Sequence, residues 1–129
     1  MIIKVTIGSK PSDNGYISER EEYFELESFE DFTKEYLISQ LFVTRDIWIE
    51  KSKNFGSHSE SIEKLYDDVF SKEVDIVRSV QDWPTEKSKE ILQFHGDEIH
   101  CFEESGNYHS LKWVDIELIR PRFCYKPKF

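Results

Sequence analysis

The stretch between residues 57 and 84 places the strongest constraint on how this chain can fold. Its apolar residues recur at the three- and four-residue spacing of one face of an α-helix. That face is formed by Ile62, Leu65, Tyr66, Val69, Phe70, Val74, Val77 and Val80. Ser57 and Glu60 form a capping box at its start, and the Trp83-Pro84 step predicts its end. We expect this long helix to cover one face of a sheet.

A second helical pattern lies upstream of the first. Its predicted face consists of Phe29, Phe32, Thr33, Tyr36, Leu37, Gln40 and Leu41. Ser28 is the expected N-cap, with Asp31 in the position of the capping-box acid. Further on, in "TRDIWIE" (residues 44–50), Ile47 and Ile49 alternate with a tryptophan, which predicts a third strand.

Strand patterns occupy both ends of the chain. Alternating apolar residues predict a first strand over residues 2–7, and turn-forming residues predict a loop over residues 8–15. A second strand is expected from residue 16 to residue 27. The sequence "EILQFHGDEIHCFE" (residues 90–103) is typical of a β-hairpin that turns at Gly96-Asp97. A turn at residues 105–107 then leads to a last strand in "YHSLKWVDIELI".

Together these elements predict one α+β domain over residues 1–129, with a mainly antiparallel sheet packed against two main helices. A chain of 129 residues is long enough to bury a core without metal or disulfide crosslinks. Aromatic residues make up 15% of it, which is typical of a folded chain rather than a disordered one. Residues 120–129 form a short basic C-terminal tail.

The charge of the chain narrows the class of partner. Its 26 acidic and 17 basic residues give a formal charge of −9, and removing the four bases of residues 120–129 leaves −13 on residues 1–119. Such a field repels nucleic-acid phosphates and anionic lipids and attracts basic proteins. The tail mixes bases with aromatics, a composition suited to single-stranded nucleic acid, but the charge of the remainder argues against that use. We therefore expect a basic protein partner, no nucleic acid and no membrane.

Cysteine content and hydropathy predict the compartment. Two cysteines, Cys101 and Cys124, are typical of a reducing compartment, because small secreted domains more often carry four or more. The opening "MIIKVTIG" is apolar over too few residues for a signal peptide. No apolar run approaches the ~20 residues that span a bilayer. We expect a cytoplasmic protein.

No motif in the chain names a reaction. The five glycines do not form the glycine-rich loop that binds nucleotide phosphates, so we expect no cofactor. His95, His100, Cys101 and His109 lie close together in sequence, but the predicted hairpin places Cys101 on the face opposite the first two histidines. We therefore expect no metal site. Cys124, in the basic tail, is the alternative: a nucleophile whose pKa the neighbouring bases lower.

The segment "SEREEYFELESFED" (residues 18–31) holds seven carboxylates and one arginine. If residues 19–27 form a regular strand, Phe24 and Leu26 point to the core and the alternate side chains face solvent. The solvent-facing set is Glu19, Glu21, Tyr23, Glu25 and Glu27. Two interpretations stay open: a solvated face without a partner, or a surface that attracts a basic protein and anchors it on Tyr23. Further candidate contacts on the long helix are Glu63, Asp67 and Asp68.

In size, acidity, aromatic content and lack of catalytic motifs, the chain resembles the small acidic immunity proteins of bacterial polymorphic-toxin systems, including contact-dependent inhibition. The resemblance implies a non-enzymatic protein that binds a cognate toxin domain, often a basic nuclease, and blocks or covers its active site. Residues 96–119 are also similar to the hairpin-then-WxDIxxI ending of some small bacterial β-rich modules. Two alternatives remain: a nucleic-acid mimic that inhibits a DNA-binding enzyme, and a small enzyme that uses Cys124 or the His95/His100/His109 cluster.

Overall fold

A computed structural model of the chain describes residues 1–11, 18–54, 60–104 and 110–119. These residues form four strands and three α-helices, and one turn of 3-10 helix (Phe29–Asp31) precedes the first α-helix. The bounds are β1 Ile2–Pro11, β2 Ser18–Glu25, α1 Lys34–Asn54, α2 Glu60–Ser79, α3 Glu86–His95, β3 Ile99–Glu104 and β4 Ser110–Ile119. The predicted α+β class is confirmed.

The four strands form one antiparallel sheet in the order β2–β1–β4–β3. β1 pairs on both sides, so that Ile3 lies opposite Phe24 of β2 and Leu118 of β4. At the far side, Cys101 of β3 lies opposite Val114 of β4. Within the described chain, β2 and β3 are therefore the two edge strands.

One face of the sheet, called the inner face below, packs against the helices. Ile3, Val5 and Ile7 alternate onto this face of β1 and are buried. α2 contacts β1 and β4, and α1 packs along α2. Each apolar side chain buried in this core contributes about 1.5–3 kcal/mol, and this burial fixes which residues of each strand point inward. The expectation that the long helix covers one face of the sheet is confirmed.

Residues 44–50 belong to α1, so the predicted third strand is wrong. A few residues of alternation cannot distinguish a short strand from part of a helix unless the packing partner is known. In the helix, Trp48 packs edge-on against Tyr66 and Phe70 of α2, with ring centroids 5.8 and 5.9 Å apart. These contacts are distant in sequence, and they stabilise the helical conformation.

α1 also begins later than its predicted capping box. Ser28 caps the 3-10 turn instead, where its Oγ accepts a hydrogen bond from the N–H of Glu30 at 3.2 Å. Thr33 Oγ1 accepts a hydrogen bond from the N–H of Tyr36 at 3.1 Å, immediately before the first residue of α1. Thr33 is therefore the N-cap of α1, the role that was expected of Ser28. Lys34, the next residue, donates to the main-chain oxygen of Val80 and so links the start of α1 to the end of α2.

The hairpin predicted over residues 90–103 is wrong in its first half, because Glu86–His95 form α3. Thr85 caps this helix, with its Oγ1 accepting a hydrogen bond from the N–H of Ser88 at 3.3 Å. Gly96 ends the helix at a φ of 69°, a left-handed conformation that glycine adopts without strain. Gly96-Asp97 is thus a helix terminus, and β3 begins at Ile99.

Residues 8–11 continue β1, so the predicted loop is wrong there. Gly8 lies opposite Trp113 of β4, and a Cβ at residue 8 would lie 2.4 Å from the Cζ2 atom of that indole. The glycine is needed for this close approach rather than for a turn. Predictions that fall on residues 12–17, 55–59, 105–109 and 120–129, including the basic tail, lie outside the described residues. Among the described helices, none is long and apolar enough to cross a membrane.

Candidate partner-binding surface

β2 carries the candidate contacts predicted from strand alternation. Its inward positions include Phe24, which is buried, and its other set of side chains points to the opposite, outer face of the sheet. Glu19, Glu21, Tyr23 and Glu25 are all exposed there, with 59% of Tyr23 accessible to solvent. We call these four residues the acidic edge surface. Glu27 is exposed as well, but it lies beyond the end of β2.

The main chain of the acidic edge surface also points away from the sheet. Met1 and Leu26 exchange reciprocal hydrogen bonds, N to O, of 2.9 and 2.8 Å. In an antiparallel ladder, residue pairs that exchange both hydrogen bonds alternate with pairs that exchange none. The register therefore assigns the bonded positions of β2 to residues 20, 22 and 24. The N–H and C=O groups of Glu19, Glu21, Tyr23 and Glu25 point to the edge where no described strand pairs.

Lys4 of β1 is the cation nearest to this surface among the described ion pairs. Its Nζ lies 3.5 Å from Glu117 on β4 and 3.8 Å from Glu21. The negative charge of Glu117 is the largest cause that raises the pKa of Lys4 above its ordinary value, and Glu21 adds to it. Neither Glu19 nor Glu25 has a described ion pair. One lysine shared between two strands leaves the acidic edge surface with a net negative charge.

The inner side of β2 is fastened to the helices by Arg20, which sequence reasoning did not single out. Its Nε donates to Glu73 Oε2 of α2 at 2.7 Å, and its Nη1 donates to Glu22. The guanidinium carbon also lies 4.2 Å from the ring centroid of Phe70 and 5.6 Å from that of Trp48. Glu22, which points to the inner face, is held by this arginine. No local pattern reveals the contacts with Trp48, Phe70 and Glu73, because these three residues are 28 to 53 positions away from Arg20.

A cavity of about 380 Å³ lies beside this ion pair, between α2 and the ends of β1 and β2. Arg20 Nη2 and Glu73 Oε1 are buried next to it without a hydrogen-bond partner in the described structure. Nη2 lies on the same side of the guanidinium as Nε, so Oε1 of the already bonded carboxylate is its nearest natural acceptor. The two atoms belong to side chains that already bond to each other through Nε and Oε2, so they do not by themselves indicate a ligand.

The three helix acids lie on α2 rather than on the sheet. Glu63 pairs with Lys53 at 3.0 Å and Asp67 with Arg45 at 3.3 Å, so both join α2 to α1. The hydrogen bond from Lys53 to Glu63 is the main cause that raises the pKa of this lysine. Asp68 is exposed. The fold thus separates these acids from the acidic edge surface, and two of the three already have cationic partners.

The alternative that the protein is a small enzyme depends on the histidine cluster and Cys124. Those of these residues that the structure describes do not lie close together. His95 ends α3, whereas His100 lies on the outer face of β3, with Nδ1 2.5 Å from Asp115 Oδ1. Cys101 is fully buried on the inner face, and this burial raises the pKa of its thiol to about 12. The thiol stays protonated at neutral pH and is a poor nucleophile or metal ligand. No described group of three or more potential ligand side chains is close enough to hold a metal ion, while His109 and Cys124 lie outside the described residues.

Comparison with protein-family models, with curated proteins and with solved structures finds no match to this chain.

Proposed function

We propose that this protein binds a basic protein partner through the acidic edge surface and neutralises it, as an immunity protein neutralises its cognate toxin. The proposal includes a non-enzymatic role and a cytoplasmic location. The observation that carries it is the acidic edge surface itself: three carboxylates around an exposed tyrosine, on an edge strand, with Lys4 as their nearest described cation. Among the described ion pairs, only the one between Lys4 and Glu21 links this surface to the fold of the isolated chain.

The spacing of the acids supports this use. Side chains two residues apart on a strand stand about 6.5–7 Å apart, so Glu19, Glu21 and Glu25 repel one another weakly through water and salt. A basic surface converts that repulsion into attraction and accelerates its own association through long-range steering. Tyr23, in the middle of the row, offers the rigid amphipathic side chain that is common at the centre of protein interfaces.

The experiment uses charge reversal with a matched control. Glu21→Lys with Glu25→Lys changes the net charge as much as Glu90→Lys with Asp97→Lys, whose exposed acids lie in and just after α3. Tagged wild type and both double variants serve as bait in the native host. We expect one basic protein to be captured by the wild type and by the α3 control, and to be lost or depleted with E21K/E25K. Equal capture by both double variants would falsify the surface assignment.

Kinetics with the captured protein separate steering from contact. At low salt, E21K/E25K is expected to slow association at least about tenfold and to flatten its salt dependence, whereas E90K/D97K leaves the slope nearly unchanged. The toxin part of the proposal needs a growth assay. Expression of the captured protein alone should arrest cells, and co-expression of this chain should restore growth. Normal growth of cells that express the captured protein alone overturns neutralisation of a toxin, even if binding is confirmed.

A further inference from the structure

The main-chain groups of β2 that no described strand pairs with belong to the same residues as its acidic side chains. A strand added antiparallel to this edge would exchange hydrogen bonds with Glu19, Glu21, Tyr23 and Glu25. The residues of the added strand that make those bonds lie directly opposite, about 5.5 Å away between Cα atoms, and their side chains share the outer face. Lys or Arg at these alternate positions would stand beside the carboxylates. The edge therefore selects basic residues at every second position.

The intervening residues of such a strand would face α1. Tyr36, at the start of this helix, packs edge-on against Phe24 of β2, with ring centroids 6.3 Å apart. Trp48, further along the helix, lies beneath Arg20. α1 therefore runs beneath β2 in the opposite direction, from below Phe24 to below Arg20.

An apolar pair on α1 is left uncovered along this edge. Val43 and Ile47 follow Tyr36 at i+7 and i+11, which places all three on one side of the helix. Val43 is 49% exposed and Ile47 is 48% exposed. The opposite side of α1 is the one that contacts α2, through Arg45, which pairs with Asp67, and Ser52, whose Oγ donates to Tyr66 Oη. Apolar side chains on the inner side of an added strand would cover Val43 and Ile47.

We propose that the partner docks by strand addition: it contributes an extended segment that alternates basic and apolar residues and pairs antiparallel with β2. The basic side chains meet the acidic edge surface, and the apolar ones meet Val43 and Ile47. This inference rests on the proposed function and specifies the form of its partner. Free strand edges bind extended peptides in this way, with main-chain bonds supplying affinity and alternate side chains supplying specificity.

A synthetic peptide tests the geometry on the intact protein. The probe is Ac-Lys-Val-Lys-Val-Lys-Val-Lys-amide, titrated into the isotope-labelled chain at low salt and observed by amide NMR. We expect downfield shifts and slowed hydrogen exchange at the amides of Glu19, Glu21, Tyr23 and Glu25, because these become hydrogen-bonded. A peptide of the same composition with its lysines and valines in separate blocks is expected to bind at least about tenfold more weakly. No shift of the β2 amides at millimolar probe overturns the inference.

Backbone methylation of the probe separates strand addition from simple charge attraction. N-methyl groups on the lysines remove the donors that face β2, whereas N-methyl groups on the valines remove donors that face away. We expect the first peptide to bind about tenfold or more weakly and the second to bind within about threefold of the parent. Equal binding of the two methylated peptides contradicts strand addition while leaving docking through side chains, and hence the proposed function, intact.

Variants of the protein give the complementary test. Glu21→Pro deletes one edge-facing N–H, and Glu21→Gln deletes the same charge but keeps that donor; an edge position of a strand accepts proline. We expect E21P to weaken probe binding several-fold more than E21Q. Val43→Gln with Ile47→Gln should weaken binding about tenfold, whereas Ile91→Gln, at a similarly exposed position on α3, should not. If E21K/E25K weakens probe binding but E21P and V43Q/I47Q do not, strand addition is refuted. The proposed function is then left standing, because the partner can still bind through the acidic side chains.

Discussion

Arg20 of β2 donates a hydrogen bond of 2.7 Å from its Nε to Oε2 of Glu73 in α2. The bond joins an edge strand to the helix layer across 53 positions of the chain. Glu73 is almost fully buried, and Arg20 also lies over the ring of Phe70. The acidic edge surface is held on the outer side of β2 by this contact on the inner side. The position of the candidate binding surface therefore depends on an ion pair that lies on the inner face of the sheet.

Breaking this pair from one side should cost stability. Glu73→Leu leaves the guanidinium with Glu22 as its remaining acidic partner, and we expect the free energy of unfolding to fall by about 1–3 kcal/mol. Arg20→Met combined with Glu73→Leu should recover part of that loss, because an apolar pair replaces the Arg20–Glu73 ion pair and only the Glu22 carboxylate is left without its cation. Urea unfolding of wild type, both single variants and the double variant provides the measurement. A double variant as unstable as the sum of the two single variants would contradict this account.

Gly8→Ala should destabilise the sheet through a steric clash. The added methyl group would lie 2.4 Å from the indole of Trp113, far inside van der Waals contact, and the ring has to move. We expect a loss of about 1–3 kcal/mol in the free energy of unfolding, as for overpacked cores. Trp113→Leu relieves the clash, so the same Gly8→Ala change should cost much less in that background. A double-mutant cycle by urea unfolding measures the difference, and an unchanged cost would show that the indole is not the cause.

The longest periodic pattern in the sequence identified its element correctly. The face from Ile62 to Val80 fits a helix over five turns, and the structure confirms it as α2, which ends one residue before Val80. The seven-residue run at Ile47 and the run at Phe94 were too short to separate helix from strand, and both were assigned wrongly. At Ile47 the helix is stabilised by the packing of Trp48 against α2, and at Phe94 by the caps at Thr85 and Gly96. Neither can be recognised from a short apolar pattern.

The sequence predicted that the side chains of the acidic edge surface are exposed, but not that they lie on an edge strand. The alternation of Phe24 and Leu26 correctly placed Glu21 and Tyr23 in solvent. Whether β2 lies at the centre or the edge of the sheet depends on strand order, which is set by β1 pairing with β4 at the other end of the chain. That β2 is an edge strand among the described strands, and that Val43 and Ile47 are exposed on α1, could therefore be recognised only in the folded molecule.

The N-cap of α1 provides a test within a single helix. Thr33→Ala removes the acceptor of the Tyr36 N–H, and we expect the free energy of unfolding to fall by about 1 kcal/mol. Thr44→Ala is the matched control, because Thr44 lies inside the same helix and bonds back to the carbonyl of Gln40. Alanine favours the helix interior, so this variant should be neutral or slightly stabilising. Thermal unfolding of the two variants compares them directly, and equal losses would contradict Thr33 as the cap.

Cys101 predicts a specific loss of stability at alkaline pH. Burial raises its pKa from an ordinary value of 9.0 to about 12 in the folded chain. Between these two pH values the unfolded chain releases the thiol proton and the folded chain retains it, so raising the pH favours unfolding. The contribution of Cys101 is fully present below pH 9 and declines above it by up to ~1.4 kcal/mol per pH unit.

The measurement isolates this thiol from the other groups that titrate in the same range. Urea unfolding at pH 8 and pH 10 is compared between Cys124→Ser and Cys124→Ser/Cys101→Ala, so that the two proteins differ in one thiol. The free energy of unfolding should fall more steeply with pH in the protein that keeps Cys101, by about 1 kcal/mol over this interval. The same protein should react with a thiol reagent far more slowly when folded than in urea, because the thiol is buried and protonated. Equal pH slopes, or rapid labelling of the folded protein, would place Cys101 in contact with solvent and contradict its position in the core.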